Sequence, residues 1–159
     1  MVYGAWLLLL VLLTLLFSQW LDRQNNPNRQ LAKLIVQDGV TEVVLKRNRA
    51  GHYLAPGVIN GVDVNFLLDT GATYVAVPQS VADRAGLSRL ASTQSQTANG
   101  ITSSWLSEIA EVRLGPIVMR DVRATIIPAM PGNEVLLGMS FLKHLRLEQQ
   151  GDSLSLAVP

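Results

Sequence analysis

Residues 65–73 read Asn65-Phe66-Leu67-Leu68-Asp69-Thr70-Gly71-Ala72-Thr73. An apolar run leads into Asp-Thr-Gly, and a β-branched and aromatic run resumes at Tyr74. A carboxylate at the end of an apolar strand is costly unless it is paired or hydrogen-bonded. Gly71 permits backbone conformations that other residues resist and lets another segment approach closely. Thr70 offers a hydroxyl donor. A carboxylate held in a tight loop, with small neighbours and backbone donors, is what activation of water by aspartate requires. Taken alone, the triplet fits a structural Asx turn at a strand end better than a catalytic loop.

The flanking sequence predicts short strands. Leu54–Ile59 and Val62–Leu68 flank Asn60-Gly61, a strong hairpin signal. Tyr74–Val77 stops at Pro78, and Ser80 could cap a short helix ending at Gly86. A second Asn-Gly turn, Asn99-Gly100, lies between Gln94–Ala98 and Ile101–Leu106. Gly115-Pro116 separates Ile109–Leu114 from Ile117–Ile127. Met139–Leu145 reads as a short helix after Gly138, and Leu145–Glu148 with Leu154–Val158 as a last hairpin. About eight strands with one or two short helices indicate a closed or sandwiched β domain. Leu31–Leu45 reads as helix, strand or one of each, and the pattern does not decide.

Composition narrows the chemistry. The chain has 159 residues and no Cys, so disulfides, thiolate metal sites and a cysteine nucleophile are excluded. Thirteen Lys and Arg stand against 12 Asp and Glu, which argues against a nucleic-acid partner. His52 and His144 are isolated in sequence, with no metal-ligand spacing around them.

All charged residues lie between Asp22 and Asp152, and 17 of the first 21 residues are apolar. As a helix, about 20 such residues rise roughly 30 Å, the thickness of a bilayer's hydrocarbon core. Tyr3, Trp6 and Trp20 lie towards its ends, where aromatic rings favour the membrane interface. A signal peptide fits less well, because no basic n-region and no small-residue cleavage site accompany the run. The expected organisation is a single-pass anchor over residues 1–21, a linker over 22–50 and a folded domain over 51–159. Arg23, Arg29 and Lys33 follow the span and, taken literally, favour the cytoplasmic side, but three charges, one of them beside Asp22, leave the side of the domain undetermined.

Several segments, in order, now carry a resemblance: Gly51-His52-Tyr53, Val58–Gly61, Leu67–Thr73, Ala82–Leu87, Thr97–Gly100 and Val135–Leu142. The chain resembles the retropepsin-like aspartic proteases, and among them a bacterial branch with one such domain behind an N-terminal transmembrane helix. The resemblance implies a mainly β fold with a closed barrel. Asp69 is then catalytic, and Thr70, Gly71 and Ala72 support its loop. Ala98, Asn99, Gly100 and Ile101 correspond to a flap over the substrate, with Trp105 a further candidate contact. Leu136, Leu137 and Gly138 pack beneath the loop.

The chain has one Asp-Thr-Gly and no second copy. Chemistry with two carboxylates sharing a proton therefore expects a homodimer that supplies Asp69 twice. The expected substrate is a protein or peptide, with no metal or other cofactor. The rival expectation is a catalytically silent binding or scaffolding module of the same fold at the membrane. A further expectation is an active form from which residues 1–49 have been removed by self-processing.

Overall fold

The Asn60-Gly61 turn organises the first hairpin. β3 (Leu54–Ile59) and β4 (Val62–Leu68) pair antiparallel from Leu54↔Leu67 to Ile59↔Val62. Asn60 (φ 47°) and Gly61 (φ 83°) both occupy the left-handed region, which a type I′ turn requires. The Asn60 N–H donates to the Glu111 carbonyl, and the Glu111 N–H donates back to Asn60 Oδ1. Asn60 Nδ2 donates to the Ala85 carbonyl. The turn is thereby bonded to two distant parts of the chain.

The computed structural model describes residues 2–29, 34–37, 40–97 and 100–159, with the side chains at 2, 5, 22, 23, 34–37 and 40 outside that description. After β4 come β5 (Val75–Pro78), α2 (Gln79–Arg84), β6 (Ala91–Thr97), β7 (Gly100–Leu114) and β8 (Ile117–Ile127). Next are β9 (Glu134–Leu137), α3 (Met139–Leu142), β10 (Arg146–Gln150) and β11 (Ser153–Ala157). One sheet runs β3-β4-β9-β5-β8-β7-β6, and β3 also pairs with β7 through Val58↔Arg113 and Ile59↔Val112. That last pairing closes six strands into a barrel, with β6 extending from β7 beyond the closure. The expected mainly β fold with a closed barrel is what the chain adopts.

Closure needs a close approach. A β-carbon on Gly57 would fall 2.2 Å from the Phe66 ring and 2.6 Å from the Arg113 carbonyl oxygen. The barrel is filled by Ile59, Phe66, Ile109, Leu114, Ile126, Leu137, Phe141 and Leu142, all fully buried. Each contributes roughly 1.5–3 kcal/mol through burial.

Sequence boundaries shift where tertiary pairing overrides local signals. β7 is one continuous strand of 15 residues, because its first half pairs with β6 and its second with β8 and β3. α2 begins after Pro78 with no side-chain cap, and Ser80 Oγ instead donates to the Gly132 carbonyl. α3 is one turn, ending at Leu142 rather than Leu145.

The segment expected as a linker over 22–50 carries structure. β1 (Leu34–Gln37) and β2 (Val40–Lys46) join β11 and β10 in a second sheet of order β1-β2-β11-β10. Val43 and Leu45 of β2 are buried in the same core as Phe66 and Phe141. Asn28 is 6% exposed. Its Nδ2 donates to the carbonyls of Lys46 (2.8 Å) and Leu54 (2.7 Å), and its Oδ1 accepts the Lys46 N–H (2.8 Å). These three bonds fasten the chain preceding β1 onto β2 and β3.

Helix α1 covers Val2–Asn25, and its described leucines from Leu7 to Leu16 are exposed. Among the described residues no helix is long and apolar enough to cross a membrane. The expected span over residues 1–21 is therefore not shown by the described residues. The helix covers residues 2–21 of that stretch and continues through polar Gln24 and Asn25, with residue 1 and the side chains at 2 and 5 outside the description.

Candidate active site

β4 delivers Asp69 at its C-terminal end. β4 runs parallel to β9, from Asn65↔Glu134 to Leu68↔Leu137. The ladder continues one step further, because the Asp69 N–H donates to the Leu137 carbonyl at 3.2 Å. β9 in turn pairs with β5 at Ala76↔Leu136. The loop over residues 69–74 therefore leaves one neighbour of β9 and returns along the other. Its aspartate backbone is fixed by the central strand.

Within the loop, the Gly71 N–H donates to Asp69 Oδ1 at 2.9 Å, and the Ala72 N–H donates to the Asp69 carbonyl at 3.2 Å. This is Asx-turn geometry, which orients the carboxylate through a backbone donor. Gly71 does not use the left-handed region. Its value is spatial, since a β-carbon there would stand 3.1 Å from the Asp69 oxygen. Thr70 is exposed and Asp69 is half-buried.

A second layer supports the loop from below. The Met139 N–H donates to the Ala72 carbonyl (2.8 Å), and the Ser140 N–H to the Thr73 carbonyl (2.9 Å). Gly138 sits directly under the loop, with space for no side chain. Leu137 is fully buried, while Leu136, pointing to the other side, lines the cleft.

Ser140 is a supporting residue that sequence reasoning missed. Its Oγ accepts the Val75 N–H (3.0 Å) and donates to the Arg123 carbonyl (2.7 Å). One hydroxyl thus ties α3, β5 and β8 together at the end of the loop. The available signal was a short polar residue inside the apolar run Val135–Leu142.

A cleft of about 530 Å³ opens above the loop. Asp69, Ala72 and Tyr74 form one side, Thr93–Thr97 of β6 the other, and Leu106, Ile127 and Leu136 the apolar floor. Asp69 is the one carboxylate among the lining residues. The wall facing it is uncharged, built of threonine, serine and glutamine. The strand residues of β6 that form this wall were not singled out from sequence, because an exposed polar strand carries no burial pattern of its own.

The expected flap residues are only partly placed. Ala98 and Asn99 lie outside the described residues. Gly100 (φ 109°) opens β7 opposite Thr97, and Ile101 is 72% exposed. Neither lines the cleft. Trp105 packs against the core with the Arg89 guanidinium 5.3 Å above its ring, and its neighbour Leu106 reaches the cleft instead. Among the described residues no cluster of three His, Asp or Glu is placed to hold a metal ion.

Comparison with known proteins agrees with this architecture. The family described as "gag-polyprotein putative aspartyl protease" matches over residues 55–144, from β3 to the end of α3. An uncharacterized protein from the cobV 5′ region of a Sinorhizobium species is 31% identical, over 92% of this chain and 67% of that protein. Among solved structures, a retropepsin-like aspartic protease from Rickettsia conorii superposes with a TM-score of 0.61. It is 24% identical and matches over 75% of this chain and 90% of that one. The EIAV protease complexed with the inhibitor HBY-793 superposes with a TM-score of 0.50 at 19% identity, over 62% of this chain and 92% of that one.

Proposed function

This chain belongs to the gag-polyprotein aspartyl protease family, and from that premise we propose that it is a membrane-tethered, homodimeric aspartic endopeptidase. The observation that carries the reading is the placement of Asp69. Its carboxylate is oriented by the Gly71 N–H and stands at the side of a cleft walled by an extended strand. A substrate peptide lies in that cleft as an added extended segment.

Hydrolysis needs one carboxylate to take a proton and another to give one. The partner's Asp69 supplies the second, across a two-fold axis. Two such groups about 3 Å apart do not both ionise, so the pair holds one proton. The ionised carboxylate accepts a proton from water as the water oxygen bonds to the carbonyl carbon. The protonated one gives its proton to the carbonyl oxygen. The tetrahedral diol then collapses. Its C–N bond breaks as the carboxyl that took the water's proton gives it to the amine nitrogen, while the other carboxylate takes back a proton from a diol hydroxyl, restoring the singly protonated pair. Thr70 is exposed beside Asp69, and the family resemblance gives its hydroxyl the role of bonding across the pair.

α1 supports the tether. Leucines on all sides of it are exposed, between Trp6 and Trp20. A contiguous apolar surface of that extent is normally covered by lipid or protein. We assign it to the inner membrane of a bacterium, as a single-pass anchor. Confinement to a plane raises the effective concentration of the two copies, so a modest interface suffices for the dimer.

The deciding experiment is digestion of a peptide library by the wild type and by Asp69→Ala, between about pH 4 and pH 7. Loss of cleavage in the variant, with inhibition of the wild type by a statine-type transition-state analogue, is the expected result. Cleavage that survives the substitution overturns the assignment and leaves the site as a binding module. A reporter fused after Pro159 reads the side of the membrane.

A further inference from the structure

The end of α1 is docked onto the barrel. Asn28 is buried with both amide atoms bonded to the backbone of β2 and β3. Just before it in the chain, the Asn25 carbonyl accepts from Asn48 Nδ2 (3.1 Å), and the Gln24 carbonyl accepts from the Arg49 N–H (3.4 Å). These two donors meet carbonyls that a helix leaves unsatisfied at its C-terminus. The turn at 47–49 is itself closed: Asn48 Oδ1 accepts the N–H groups of Ala50 and His52.

This docking builds a recess of about 590 Å³ between helix and barrel, lined by Trp20, Gln24, Pro27, Arg47, Asn48 and Arg49. Arg47 uses one terminal nitrogen for Asp152, and a guanidinium has five N–H donors in all. Arg49 is exposed. Two arginines and an asparagine amide thus gather about one helical turn beyond Trp20, where the apolar stretch of α1 gives way to polar residues. Guanidinium forks suit phosphate oxygens. A tryptophan at the end of an apolar helix marks the depth of lipid headgroups.

We propose that the recess formed by Trp20, Arg47, Asn48 and Arg49 binds the phosphate of an anionic phospholipid headgroup. The inference rests on the membrane reading above and is independent of the proteolytic one. Its consequence is specific. The protease domain is seated on the bilayer surface in one orientation, held by Asn28 on the protein side and by the lipid phosphate on the other.

The test reconstitutes the full-length chain in phosphatidylcholine bilayers containing a minority of phosphatidylglycerol. Spin-labelled versions of each lipid report which is motionally restricted by the protein. The expected result is a preference for phosphatidylglycerol that weakens about fivefold in Arg49→Gln and again in Arg47→Gln. Arg49→Lys retains part of it. The preference falls at high salt, and millimolar inorganic phosphate does not compete it away. Equal restriction of the two lipids by the inserted wild type overturns this inference alone, as does a preference unchanged in the double variant or abolished by free phosphate. A chain that fails to float with vesicles of either composition overturns the membrane reading and this inference together.

Discussion

A β-carbon on Gly138 would stand 2.3 Å from the carbonyl oxygen of Tyr74 and 2.7 Å from that of Ala72. Both obstacles are backbone, and the Ala72 carbonyl is held by the Met139 N–H beneath the Asp69 loop. Neither can rotate away. Gly138→Ala is therefore expected to cost about 3 kcal/mol, the upper end of overpacking penalties. The urea midpoint measures this, and a midpoint within error of the wild type would refute the tight contact.

The proposed aspartate pair spanning two chains predicts a particular dose response. Asp69→Asn keeps an oxygen for the Gly71 N–H, so the variant is expected to fold and dimerise like the wild type. Mixed in equal amounts with wild-type chain and re-equilibrated, it should give about one quarter of the activity of the same total concentration of wild-type chain, because only the fully wild-type dimer carries both carboxylates. A residual near one half would indicate that each chain works alone.

Ser140→Ala removes the acceptor for the Val75 N–H and the donor to the Arg123 carbonyl. Leaving those backbone groups unsatisfied is expected to cost about 2 kcal/mol. Because Ser140 touches the loop and not the cleft, kcat should fall more than KM rises. Steady-state kinetics beside thermal unfolding separates the two effects.

Asn28→Ala strips three hydrogen bonds from β2 and β3. Stability is expected to drop by about 2–3 kcal/mol. Amide exchange should accelerate at Lys46, whose N–H loses its partner, and stay unchanged at Val75 on the far side of the barrel. Uniform acceleration at both positions would mean that Asn28 is not a local fastening.

The parts of this fold that could be read from sequence are those whose cause is local. Asn60-Gly61 announces its hairpin because its backbone angles suit few other pairs, and Asp69-Thr70-Gly71 stands out against the apolar strand before it. β9 was not counted as a strand. Glu134–Leu137 is only four residues long, and its conformation is imposed by β4 and β5 on either side. β2 was undecidable for the same reason, since its partner β11 lies more than 100 residues along the chain. Ser140 and the β6 wall gain their roles only from what folds against them. The candidate site was therefore legible at its reacting carboxylate and obscure in its supports.

The position of β2 bears on how such an enzyme could be matured. It lies between β1 and β11, with Val43 and Leu45 buried. Cutting the chain at Arg49 would not trim a leader. It would pull out a middle strand and expose the inner face of β11, where Leu154 and Leu156 now pack. Release by self-cleavage at that point is incompatible with a standing fold. Any processing that leaves an intact domain must fall before Val40, and a cut before Asn28 would also preserve the bonds that seat the barrel. The stretch from Asn28 through β2 thus behaves less as a detachable propeptide than as a permanent part of the folded domain.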